Sequence, residues 1–399
     1  MKRKLMSLIK YCRPVYALYY YLGTWFLNFL KLFVRTDDRL ILFNSFGGKS
    51  FNDSPRAIYE AMRRDPRFSD FRFVWAFQDP EKFSLDNGEK IRADTFSYFL
   101  TALKARVWIT NSSLERGLGF VGKHTFFVNT WHGTPLKKMG NDLKEQNTSF
   151  KSRNSWNMDL FTTQSVYEAE IFTRVFELKP GICQVTGLPR NDELAQASDD
   201  RRRMCREKLG IAPGQCAVLY APTFREYEKN DALQCVFAPP IQWEKWPETL
   251  GYETVILVRA HYETVRSMKL PDDKKCIRDV SDYESLNELM IASDILVSDY
   301  SSVFFDYSIL EKPMVCFAYD YDQYEAARGM YFDIREWMPG GSITEEELLR
   351  LLNSLKEPCA YEAAVQQTVR FRKEFVKSCG HGVENVLNVI AKKINLSNK

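Results

Sequence analysis

An α/β protein built from two parallel-sheet domains is what this sequence predicts, on three observations. From residue 38 onward, short apolar runs of strand type alternate with helical apolar patterns, the βαβ rhythm of a parallel sheet with helices on its faces. Strand after strand ends in a small, polar or glycine-bearing loop. After a break between Gly187 and Gly214 the rhythm restarts at Ala217, and a chain of 399 residues exceeds one comfortable core.

The bulk composition agrees. Hydrophobic content of 45% with 27% charged residues excludes a disordered chain and one embedded throughout in a membrane. Lys and Arg number 55 against 52 for Asp and Glu, and a net +3 is too small to argue for nucleic acid as a partner. The nine cysteines form no C-x-x-C pair and no zinc-spaced cluster, the usage of a reduced, cytosolic protein.

The first 36 residues stand apart. Pro14 to Leu30 is uncharged and rich in Tyr, Trp and Phe, with Lys2, Arg3, Lys4, Lys10 and Arg13 before it and Lys31 and Arg35 after it. A spanning helix needs about 20 apolar residues, and this run is short and interrupted by Pro14 and Gly23. No small-residue cleavage site follows. Tyr, Trp and Lys suit the headgroup region, so residues 1–36 read as an aromatic, amphipathic membrane-interface leader. A helix packed on the protein's own core and a true span are the alternatives.

Leu40 to Phe43 is a buried strand, followed by the loop Asn44 to Asn52 and a helix with Ser54 as N-cap and Pro55 in first position. Phe71 to Phe77 is the next strand, and Phe96 to Ala105 a helix capped by Thr95 or Asp94. Arg106 to Thr110 and Thr125 to Thr130 are further strands. The latter runs into Trp131-His132-Gly133-Thr134-Pro135-Leu136-Lys137 at the strand end, where ligands sit in such sheets. A histidine there, with glycine leaving room beside it, is a candidate general base; a turn histidine held by hydrogen bonds is the alternative. The strands Met158 to Thr162 and Cys183 to Thr186 flank a helix from Ser165 to Phe176, and a linker with the helix Asp199 to Leu209 follows.

In the second half, Ala217 to Tyr220 ends in Ala221-Pro222-Thr223-Phe224-Arg225, and Val255 to Val258 ends in Arg259-Ala260-His261. Cys276 to Val280 is a short strand, with Ser281-Asp282-Tyr283 as cap of a helix over Ser285 to Ile291. Ile295 to Val297 leads through Ser298-Asp299-Tyr300-Ser301-Ser302 into a helix beginning at Val303. Unpaired amides and hydroxyls at that helix start could hold phosphate oxygens, or the serines could simply cap it. With Arg225, Arg259 and His261 at the same sheet edge, the group reads as an anion site. Pro313 to Phe317 is a strand followed by Asp320 and Asp322, a metal pair or, preferred here, a helix cap by Asp322. Thr344 to Lys393 is mostly helical, and its last helix is expected to fold back on the first domain.

These motifs, with Gly187-Leu188-Pro189-Arg190-Asn191-Asp192, the stretch Phe46 to Tyr59 and Arg328-Gly329-Met330-Tyr331-Phe332-Asp333, resemble the CDP-glycerol:polyglycerophosphate glycerophosphotransferase family over roughly residues 38 to 390. The resemblance implies the GT-B architecture, two Rossmann-like domains facing each other across a cleft, here 37–195 for the acceptor and 196–380 for the donor, with 381–399 as a returning C-terminal helix. It implies a transferase of EC 2.7.8 class, peripheral on the cytoplasmic face of the bacterial cell membrane, in teichoic-acid or capsular polymer synthesis. The donor is CDP-glycerol or CDP-ribitol, and CMP leaves. The acceptor is an undecaprenyl-diphosphate-linked saccharide or polyol phosphate. His132 matches the proposed base and His261 the histidine at the donor diphosphate, both catalytic. Arg225, Arg259, Ser301, Ser302, Asp306 and Asp282 fall on the CDP side, and Lys137, Arg190 and Asp192 on the acceptor side, although Arg190 could instead tie down the linker. No metal site is expected, and the only cofactor foreseen is a divalent cation accompanying the diphosphate. A GT-B glycosyltransferase using a nucleotide sugar is the competing enzyme class, and a membrane-bound scaffold without turnover the third reading.

Overall fold

Runs such as Leu40-Ile41-Leu42-Phe43 and Val255-Ile256-Leu257-Val258 are apolar at every position, so both faces of their strands must be covered. In the computed structural model all of these residues are buried, in two separate parallel sheets. The structure describes residues 12–143, 157–223, 225, 239–260, 268, 270–271 and 275–396.

The first sheet contains β1 (Asp37–Asn44), β2 (Arg72–Phe77), β3 (Glu89–Arg92), β4 (Ala105–Thr110), β5 (Phe126–Asn129), β6 (Leu160–Thr163) and β7 (Cys183–Val185), in the order β3-β2-β1-β4-β5-β6-β7. The second contains β8 (Cys216–Ala221), β9 (Thr254–Val258), β10 (Ile277–Asp279), β11 (Ile295–Ser298), β12 (Met314–Phe317) and β13 (Gly340–Gly341), in the order β10-β9-β8-β11-β12-β13. Every pairing is parallel. In each sheet the order reverses beside the first strand, between β1 and β4 and between β8 and β11. Ligands of open α/β sheets bind outside the strand carboxyl ends at such a switch point. The edge strands β3 and β13 escape sequence reading because one is charged and the other is two glycines.

The described chain divides into two units. One takes the residues up to His132, Met139–Asp192 and everything from Ser378 onward; the other takes Gly133–Lys138 and Glu193–Lys377. The helix Gly382–Lys393 buries Val386, Leu387, Ile390 and Ala391 in the same core as Ile58, Met62 and Phe68 of the first unit. Thr95, Ser165 and Thr344 cap their helices through side-chain oxygens. Three expected caps are replaced. Asn52, not Ser54, precedes the helix Asp53–Met62, and the Ser54 hydroxyl instead accepts from the Arg190 backbone N–H at 3.3 Å. Ser285 caps the helix Leu286–Ala292 in place of Ser281-Asp282. Asp320, not Asp322, holds the cap position of the helix Tyr321–Arg328.

The leader forms a helix over Arg13–Lys31. One side rests on the first unit: Tyr16 and Leu27 are buried, the Tyr19 hydroxyl donates to the Arg116 carbonyl (3.0 Å) and Asn28 to that of Gly119 (2.8 Å). The other side exposes Leu18, Tyr21, Leu22, Trp25, Phe26 and Phe29. Among the described residues no helix is long and apolar enough to cross a membrane. The core-packed alternative describes one side of this helix, and the other side is exposed and apolar.

Candidate active site

At the switch point of the second unit, the loop after β11 is fastened to the loop after β8. The Ser298 hydroxyl donates to the Ala221 carbonyl (2.6 Å), and one Asp299 oxygen accepts from the Thr223 (2.8 Å) and Tyr300 (2.6 Å) backbone N–H groups. The other Asp299 oxygen lies 2.9 Å from the Arg225 guanidinium, which also meets both oxygens of Asp320 at 2.7 and 2.9 Å. Tyr300, stacked on Tyr324 at 3.8 Å, donates to Asp320 (2.9 Å), and Arg225 lies 4.8 Å from the Tyr300 ring. Arg225 is wholly buried; burial alone would favour its neutral form, but Asp299 and Asp320 outweigh it and raise its pKa. Arg225 is therefore a brace under the turn, not the open anion ligand expected from its place at a strand end.

The half-buried Ser301 and Ser302 follow this anchored pair, the Ser301 hydroxyl accepting from the Val303 N–H at 3.2 Å. Asp306 is buried in the first turn of the helix Val303–Ser308. The Thr223 hydroxyl is buried with no hydrogen-bond partner among the described residues. Gly133 belongs to this unit and leaves room for Ser302: a Cβ would lie 2.6 Å from the Ser302 hydroxyl oxygen and force that side chain to turn. Lys137, expected on the acceptor side, also falls in this unit. It pairs with Met330 in an antiparallel bridge, and its Nζ is 6.0 Å from the Tyr324 ring. Lys138 N–H donates to Gly329 and Tyr331 N–H to Leu136, both at 3.0 Å, so two motifs far apart in sequence form one structure.

Arg259, at the end of β9, donates to the carbonyls of Val280 (3.3 Å) and Tyr283 (2.6 Å), which pins the loop carrying the exposed Asp282. Burial lowers the Arg259 pKa, and Asp282 opposes it. His261 lies outside the described residues. Among the described residues no three His, Cys, Asp or Glu side chains gather as a metal centre would. Asp320, half of the acidic pair, is occupied by Arg225 and Tyr300.

At the switch point of the first unit, His132 follows β5 beside the loops after β1 and β4. Its Nδ1 is 2.7 Å from the Asn111 carbonyl. A carbonyl only accepts, so Nδ1 carries the proton and Nε2 of the neutral ring is left with its lone pair. The ring stacks on Trp131 (4.5 Å) and leans on Phe46 (5.5 Å). It is open to solvent on one side and enclosed by protein on the others. Burial lowers its pKa, Arg190 adding to the effect and the Asn111 bond and Asp53 opposing it. Phe46, Asp53 and Trp131 all have positive φ, at 45°, 63° and 48°, so strain in non-glycine backbone collects around this histidine.

Arg190 stands with Asp53 at 3.5 Å, its side chain 9% exposed. Asp192, expected to hold acceptor, instead accepts from the Gly382 and Val383 N–H groups at 2.8 Å each and so caps the C-terminal helix. Burial raises its pKa and those two bonds pull it back. Asp192→Ala is expected to lower stability by about 1–2 kcal/mol, read as an earlier denaturation midpoint.

The match to known proteins spans residues 26–392: the model of the CDP-Glycerol:Poly(glycerophosphate) glycerophosphotransferase family covers them. The chain belongs to this family. A teichoic acid poly(glycerol phosphate) polymerase of Staphylococcus epidermidis is 33% identical over 77% of this chain and 44% of its own length, so the chain spans less than half of that relative. A teichoic acid glycerol-phosphate transferase of Staphylococcus aureus is 31% identical over 88% of this chain and 93% of its own. The solved wall teichoic acid polymerase TagF superposes with a TM-score of 0.81 at 30% identity, over 90% of each chain, which makes the fold GT-B. A TagF variant soaked with CDPG superposes with a TM-score of 0.79 at 29% identity, again over 90% of each chain.

Sequence reasoning gives no role to Asp299 or Asn111. Asp299 lies between the β11 end and the serines and acts through the turn it anchors. Asn111 is buried, its carbonyl receives His132 and its side-chain oxygen accepts from the Phe46 N–H at 2.8 Å. A residue acting through its backbone carbonyl leaves little trace in sequence.

Proposed function

We propose that this protein transfers a polyol phosphate, glycerol phosphate first, from a CDP-polyol to a hydroxyl of a membrane-linked acceptor in teichoic-acid or capsular polymer synthesis. The observation that carries it, joined to family membership, is His132 held with Nε2 free to accept a proton. Nε2 takes the proton of the acceptor hydroxyl, whose oxygen attacks the phosphorus bearing the polyol. The bond from that phosphorus to the bridging oxygen breaks, and CMP departs with the electron pair. Phosphoryl transfer needs mainly positioning and charge stabilisation, which Ser301, Ser302 and the amides behind them supply for the diphosphate, on a turn that Asp299 and Arg225 keep rigid. A divalent cation on the diphosphate would add to that stabilisation, and His261 is assigned beside it.

The test is CMP release from CDP-glycerol and CDP-ribitol with a short lipid-linked acceptor, product length being followed by mass spectrometry. CMP release is expected; UDP release from UDP-sugars in its place would make the protein a glycosyltransferase. Replacing both Ser301 and Ser302 by Ala is expected to weaken CDP-glycerol binding about tenfold or more, at about 1 kcal/mol or more per hydrogen bond lost. Unchanged donor affinity in calorimetry would remove them from the site.

The leader supports work at a membrane surface. Trp25 and Phe29 are stacked at 5.9 Å and both exposed, beside Leu22 and Phe26, an apolar face of the kind that enters the acyl boundary. The double variant Trp25→Ser, Phe29→Ser should leave anionic liposomes in a flotation assay while staying folded, since neither residue faces the protein's core. Retention on the liposomes would place the anchor elsewhere.

A further inference from the structure

The helix Pro358–Phe375 has two unlike sides. Inward, Phe371 and Phe375 pack on Phe305, Phe332 and Trp337. Outward, with the residues just past its end, it lines an open groove of about 630 Å³ with Trp337, Gln366, Arg370, Lys373, Glu374 and Lys377. Arg370 lies over the Trp337 ring at 4.8 Å. Among the described residues no carboxylate pairs with Arg370, Lys373 or Lys377, whereas Arg372, pointing elsewhere, is paired with Glu311. Some of this is ordinary: cations suit a helix C-terminus, and Lys377 donates to the Lys373 carbonyl. That explains Lys373 and Lys377 better than it explains Arg370 or the aromatic wall.

We infer that this groove is a binding site for the phosphodiester-linked polyol chain, apart from the turn that holds the donor. The inference rests on the proposed function for the identity of the polymer. Three cations against one carboxylate leave the groove with two net positive charges. Arg370 and Lys373 lie one helical turn apart, about 5 Å, and Lys377 lines the same groove just beyond the helix end; that distance is the order of spacing at which phosphates recur along a polyol-phosphate chain. Trp337, with Arg370 laid over it, offers an apolar wall to the uncharged carbons between phosphates. A chain held here stays with the enzyme between additions.

The full-length protein and the triple variant Arg370→Ala, Lys373→Ala, Lys377→Ala would be titrated with a defined poly(glycerol phosphate) oligomer, inorganic phosphate, a DNA duplex and anionic vesicles. The expected result is at least a tenfold loss of oligomer affinity in the variant and a smaller salt dependence, each phosphate contact releasing counterions. Unchanged thermal unfolding would show that the loss is local. CMP release with a single-repeat acceptor should be unchanged while the products become shorter. Equal oligomer affinity in both proteins would overturn the inference. So would DNA bound as tightly as the oligomer, or a loss confined to vesicles. Absence of CMP release in the unmodified protein would refute the transferase reading, while the oligomer titration would still decide on the groove.

Discussion

Replacing His132 by alanine is expected to lower turnover by about two to four orders of magnitude while donor affinity stays close to that of the unmodified protein. The donor turn is held by its own unit, through Asp299, Thr223 and Arg225, and owes nothing to the imidazole. What is lost is the acceptor of the hydroxyl proton. The pH profile gives a second reading. Only the neutral ring can take a proton, and burial moves its pKa below the ordinary 6.5. kcat/KM should therefore be flat through neutral pH and fall only as pH drops through that lowered value. Turnover unaffected by the substitution would remove His132 from the chemistry, and an acid limb above pH 7 would contradict the role of burial.

Arg225→Ala should behave quite differently, as a folding defect. The guanidinium is fully buried against Asp299 and Asp320, and removing it leaves two carboxylates in the interior without their counter-charge. Breaking a buried pair from one side costs about 3–5 kcal/mol, a loss that thermal or urea unfolding of the second unit would show. Weaker donor binding would follow as a consequence, because the turn before Ser301 would lose its anchor. A variant that kept full stability and lost only donor affinity would return Arg225 to the role of direct ligand.

These two residues show what could be read in the chain and what could not. The place of His132 was legible, because a strand rich in apolar residues ends just before it and a glycine follows, and strand ends in parallel sheets are where ligands sit. Arg225 occupies an equivalent position, yet a cation at a strand end looks the same in sequence whether it faces a ligand or two buried carboxylates. Its partners come from two other loops, and only folding brings them together. Asp192 illustrates the same limit: its ligands are backbone amides of Gly382 and Val383, far along the chain. The strands were legible wherever burial demanded apolar residues on both faces, as in β1, β8, β9 and β11. They were not legible at β3, where an exposed edge asks for no apolar pattern. The cap at Ser54 failed because a hydroxyl can serve another backbone group, here Arg190, as readily as its own helix.

The path of the backbone has a consequence for synthesis. The first unit draws on three stretches, the last of which supplies Val386, Leu387 and Ile390 to its core, while the second unit borrows 133–138 from the middle of the first. During translation the second unit has all its residues once Lys377 has emerged. The first must wait for the final helix, with the surface around Ile58 and Met62 uncovered. The half made first is thus the half completed last, and a cut between Asp192 and Glu193 would give two fragments that each lack a piece of themselves.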